Sequence, residues 1–225
     1  MKLTPPMVIL SLLCLASTLR AAEADYSTNH VTHGPMLGLV TADSVRVWAR
    51  THRPGGFTVH YGVVPAPLSQ TSAVVTTRAE HDHTGWVTLT GLRPETTYYY
   101  QAYIGPVPSG PAGSFRTLPS AEAHREATHN PRGLFNFSFQ FGSCANQNPK
   151  GGIGPSLPAY ATMQRELPGK ALFSIMNGDF IYEEHRSMPV ADWLMEVGLT
   201  PAQTPAIVGL APNLVGLWEN YKSYL

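Results

Sequence analysis

Val45-Arg-Val-Trp-Ala-Arg50 alternates apolar and polar side chains with a period of two. Successive residues of a strand point to opposite faces, so Val45, Val47 and Ala49 can face a core while Arg46, Trp48 and Arg50 form a polar or amphipathic side. Working outward, short β-patterned runs recur at residues 36–40, 57–62, 74–77, 85–89, 97–103 and 113–117. Turn chemistry separates them: Thr41-Ala-Asp-Ser44, Arg53-Pro-Gly-Gly56 and the Gly- and Pro-rich stretch 105–110. Seven strands in under a hundred residues predict a two-sheet antiparallel sandwich over residues 30–118.

The chain has 225 residues, 15 Lys+Arg against 15 Asp+Glu, and a net charge of zero. That balance gives no basic footprint for nucleic acid. At 43% hydrophobic residues without net charge, the chain also lacks the composition of disorder. At roughly 100–200 residues per domain, it holds one large domain or two small ones. Lys2, the apolar run from Met7 to Ala16 and the small residues Ala22 and Ala24 predict a signal peptide over residues 1–24. The run is too short for the about 20 apolar residues of a membrane span. The expectation is therefore a secreted or periplasmic protein with no membrane anchor after cleavage. Cleavage removes Cys14 and leaves Cys144 as a single thiol: a partner-seeking group, a ligand, or an inert buried residue.

Gly91-Leu-Arg-Pro-Glu-Thr-Thr-Tyr-Tyr-Tyr100 resembles the corner that opens the sixth strand of fibronectin type III domains. The resemblance implies a Leu plugging the core and a Tyr hydroxyl bonded back to the corner. His81-Asp-His83 offers two imidazoles without a matched third ligand nearby, which favours a turn over a metal site.

Residues 119–133 are charged, Pro-containing and aperiodic, and read as a linker. Phe135-Asn-Phe-Ser-Phe-Gln-Phe141 then predicts a strand with four Phe on one face, ending at Gly142-Ser-Cys144. Residues 156–167 have helical spacing, and Ala171-Leu-Phe-Ser-Ile-Met176 predicts a second strand ending at Asn177-Gly178-Asp179. Strand, helix, strand makes the two strands parallel. Sites in such sheets form beyond the carboxyl ends of the strands, where Cys144 and Asp179 would converge. Tyr182, three residues past Asp179, can face the same point. Thiolate, carboxylate and phenolate together carry more negative charge than a core tolerates without a cation. Further helical patterns cover residues 189–197 and 213–225.

Gly178-Asp179-Phe-Ile-Tyr182-Glu183 resembles the G-D-x-I-Y-E motif of the PhoD-like alkaline phosphatase and phosphodiesterase family, within the calcineurin-like metallophosphoesterases. Phe141-Gly-Ser-Cys144 is similar to that family's first ligand strand, and His33-Gly-Pro35 to the start of its N-terminal module. The resemblance covers about residues 30–225. It implies Cys144 and Tyr182 on Fe³⁺, Asp179 bridging to Ca²⁺, and hydrolysis of a phosphate ester by a metal-activated water. The implied fold class is multidomain, β followed by α/β: a fibronectin type III-like sandwich, then the start of a metallophosphoesterase α/β sandwich over residues 134–225. That family also uses an Asn in a G-N-H motif and later His and Asp ligands on later strands; no G-N-H follows Glu184, and the only His beyond it is His185, in the same loop. The site is expected to be incomplete in this chain, with a missing C-terminal half as the implied partner. The competing expectation is a secreted, non-catalytic binding module with a degenerate α/β appendage.

Overall fold

The computed structural model describes residues 29–144, 158–179 and 188–222. The expected signal segment and Tyr182 lie outside them. The strands are β1 (Val31–Gly38), β2 (Val45–Thr51), β3 (Gly55–Gly62), β4 (Gln70–Thr71), β5 (Val75–Thr77), β6 (Thr84–Leu89), β7 (Thr97–Ile104), β8 (Val107–Pro108) and β9 (Gly113–Arg116). One sheet orders β1-β2-β6; the other runs β4-β3-β7-β8, with β5 on β3 and β9 on β7. All these pairings are antiparallel.

The alternation in β2 works as expected on its inner side. Val45, Val47 and Ala49 are fully buried and meet Phe57, Val59, Tyr98, Ala102 and Phe115 in one core. Each such Val stabilises the fold by about 1.5–3 kcal/mol relative to exposure. On the other side the expectation fails at Arg50. It sits on the nominally polar face yet is only 5% exposed, because a helical layer covers it.

The corner forms as its sequence implies. Leu92 is buried, and the Tyr98 hydroxyl accepts a 3.0 Å hydrogen bond from the Arg93 amide. The bond occupies a backbone donor that the turn would otherwise strand. The mostly β architecture is thus a fibronectin-like sandwich.

Beyond the sandwich a short helix α1 (Ala121–His124), capped by Ser120, interrupts the expected linker. Strand β10 (Gln140–Gly142), helix α2 (Pro158–Glu166) and strand β11 (Ser174–Met176) follow, and β10 and β11 pair parallel. β10 is shorter than the Phe alternation predicts. Ladder bonding begins only where Leu172 donates to Ser138 and Gln140 donates to Phe173, so residues 135–137 have alternation but no partner strand in the described region.

Helices α3 (Val190–Glu196), α4 (Ala206–Leu210) and α5 (Leu214–Lys222) build a second core from Trp193, Leu194, Val197, Val208 and Val215. The sequence groups these helices with the α/β segment. In space, their core takes in Ala79 from the turn between β5 and β6 of the sandwich.

Candidate metal-binding strand ends

The register Gln140↔Ser174, Phe141↔Ile175, Gly142↔Met176 carries both strands to the same rim. Beyond it Asn177 donates to the Gly142 carbonyl at 2.8 Å and Cys144 donates to that of Gly178 at 3.3 Å. These bonds hold the two ends side by side after the strands stop. Gly178 has φ +88°, a conformation that only glycine adopts cheaply. Cys144 and Asp179 are themselves left-handed, at φ 63° and 45°. Gly142 remains in the strand, so the tight turn falls on Cys144 and Asp179 themselves. Non-glycine residues held this way cluster at functional sites, where the surroundings over-determine them.

This backbone sets the Cys144 thiol 3.1 Å from Asp179 Oδ2, to which it donates. The Ser143 hydroxyl lies 3.4 Å from the same sulfur. Cys144 is a free, exposed thiol, so it is not an inert core residue. The 3.1 Å separation suits a shared cation: ligand bonds of about 2.3 Å to sulfur and about 2.1 Å to oxygen, at a right angle, span about 3.1 Å. Two of the three expected donors are therefore brought together; Tyr182 falls outside the described residues. Among the described residues, no group of three or more His, Cys, Asp and Glu side chains converges.

A second constellation escaped the sequence. Arg50 clamps Asp82 through Nε at 3.0 Å and Nη2 at 3.2 Å, and its Nη2 also reaches Glu196 of α3 at 3.2 Å. Trp193 Nε1 donates to Asp82 at 3.2 Å, and Lys222 of α5 bridges Glu196 at 2.8 Å and Glu219. Asp82 belongs to the His81-Asp-His83 turn, which therefore serves docking. The only sequence hint was an Asp between two His in a short turn.

A family model, PhoD-like phosphatase, N-terminal domain, matches residues 16–119. The structure of PhoD is similar in fold, at 20% identity and a TM-score of 0.50, over 70% of this chain and 28% of its own. This chain thus spans about a quarter of the length of that protein. The sensor domain of the anti-sigma factor RsgI4 in Pseudobacteroides cellulosolvens matches at 15% identity and TM-score 0.33, over 41% of this chain and 95% of its own. A human fibronectin type III domain matches at 16% and 0.31, over 50% and 86%. No curated protein matches the chain. No helix of the described residues is long and apolar enough to cross a membrane. With the sandwich and its corner in agreement with the family match, residues 16–119 are similar to the N-terminal domain of PhoD-like phosphatases.

Proposed function

We propose that this chain supplies the first ligand-bearing strand ends of an exported, metal-dependent phosphoester hydrolase of the alkaline phosphatase D and phosphodiesterase kind. One observation carries the reading: Cys144 and Asp179, 35 residues apart, meet at 3.1 Å beyond two parallel strands. Cys144 and Tyr182 would hold Fe³⁺, and Asp179 would bridge to Ca²⁺. Bound there, the metals supply Lewis acidity toward a phosphate ester and lower the pKa of water toward neutrality. The chain's own part is positional. The bonds from Asn177 and Cys144 fix the spacing of the donors, and the exposure of both side chains leaves the rim open to a phosphate ester.

Further ligands come from a second α/β half, downstream or separate. Phe137, Phe139, Phe141 and Ile175 are exposed on the β10–β11 segment, and parallel sheets are ordinarily covered on both faces. This apolar surface supports the reading, because such a half would cover it.

The test is to load the purified chain with iron and measure metal content and visible absorption. A purple charge-transfer band lost in Tyr182→Phe, and iron lost in Cys144→Ala with unchanged circular dichroism, are the expected results. An intact fold that takes up no iron overturns the ligand reading. It would leave a non-catalytic binding module, which one observation favours: Met36, Trp48 and Trp86 are cross-strand neighbours, Met36 and Trp86 are exposed, and Arg46 lies 5.7 Å over the Trp86 ring.

A further inference from the structure

The turn at residues 78–83 is the point where the sandwich grips the helical layer. Its backbone closes through His83 donating to Arg78 at 2.9 Å and Asp82 donating to Ala79 at 2.9 Å, and the His83 carbonyl accepts from Thr51 at 3.0 Å. Both Asp82 and His83 are left-handed, at φ 50° and 57°. Consecutive non-glycine residues in this region are costly and persist only under external constraint. The constraint is visible: Asp82 accepts from Arg50 on β2 and Trp193 on α3, and lies 3.7 Å from Lys222 on α5. Ala79 enters the helical core from the same turn.

His83 is 1% exposed, and neither ring nitrogen has a hydrogen bond of standard geometry. Arg50 of β2, Asp82 beside it, and the backbone of His52 and of Val197, just past α3, face the ring; the Arg50–Asp82 pair in turn carries Glu196 of α3 and Lys222 of α5, which holds Glu219, and its charges act on His33 of β1. The Val197 backbone at the C-terminal end of α3 faces the imidazole, so the helical layer forms part of its enclosure. We propose that this turn is an acid-released latch: a proton taken up by His83 undocks the helical layer from the sandwich.

The electrostatics agree with that geometry. Burial first, and then the Arg50 charge, hold the His83 pKa below its ordinary 6.5. The docked form therefore resists a proton that the undocked form accepts. Docking is fully stable above the free-imidazole pKa and weakens as pH falls through the lowered one. His33 is shifted the same way, by burial and then by Arg50. Glu219 is shifted upward by burial, so it acts in the opposite sense, favouring docking at lower pH. The weakening is set by His83, which is almost fully enclosed, whereas His33 is half-buried.

Hydrogen exchange on the full chain tests this. Corrected for intrinsic rates, protection of α3 and α5 should fall more than about threefold from about pH 7.5 to about pH 5.5, while that of β7 holds. The slope should not exceed about tenfold per pH unit, the limit for one linked proton. His83→Gln should abolish the fall, and His33→Gln should keep it. Flat protection, or a fall that survives in H83Q, overturns the latch. Should H83Q fail to fold, the wild-type ring resonance of His83 decides. Its titration midpoint must coincide with that of helix opening, and a separate midpoint also overturns the proposal.

Discussion

The Cys144 sulfur and the Asp179 carboxylate touch across the parallel pair, although 35 residues separate them in the chain. A cation held by both would occupy the lone pairs that a thiol reagent attacks. Adding Fe³⁺ should slow modification of Cys144 by at least about tenfold, followed by mass spectrometry of the modified peptide, whereas Ca²⁺ alone, which takes oxygen ligands, should not. In Asp179→Ala the protection should largely vanish. Equal rates with and without Fe³⁺ would count against the shared site.

Asp82→Ala removes the acceptor shared by Arg50 and Trp193. The Arg50 and Asp82 side chains are each only 6% exposed, so the variant leaves a buried guanidinium short of its bidentate partner. Breaking one side of a buried pair costs about 3–5 kcal/mol. Urea denaturation followed by tryptophan fluorescence should show a loss near the lower end, because Glu196 still reaches Arg50. An unchanged midpoint would mean that the network contributes nothing to docking.

Tyr98→Phe keeps the ring against Phe115 but deprives the Arg93 amide of its acceptor. An unsatisfied donor of this kind costs about 1–3 kcal/mol. The expected result is a lower Tm with unaltered far-ultraviolet circular dichroism, and Tyr99→Phe, on the neighbouring position, serves as the control.

Phe137, Phe139 and Phe141 are 49%, 47% and 62% exposed, a contiguous aromatic surface with Phe173 stacked on Phe139. Exposed apolar stripes of this kind bind hydrophobic dyes and other chains. Replacing the three with Ser should cut dye fluorescence by more than about half and reduce concentration-dependent sedimentation. Fluorescence of the buried Trp193 should stay the same.

The sandwich was legible because its signals are local. Alternation in β2 and β7 and the Leu92–Tyr98 corner depend on neighbours within a few residues. The convergence of Cys144 and Asp179 was legible for a related reason, since two parallel strands with polar ends allow little else. Residues 135–137 misled because alternation records which faces a segment could present and says nothing about whether a partner strand is there. Arg50 misled for the opposite reason. Its partner Glu196 lies 146 residues away, and no periodicity in β2 can announce a helix that arrives so much later.

The shared core of Ala79 with Trp193 and Val208 bears on how such a protein can be inherited. A module that recombination moves between genes must close its own surface, so that excision leaves no scar. Here the family match ends at residue 119, yet Arg50, Asp82 and Ala79 are held against helices encoded seventy or more positions later. Cutting at that boundary would put a desolvated ion pair back into water and bare the turn that carries it. The sandwich looks transferable in sequence; in space it is bound to its helices, and a lineage could exchange one only together with the other.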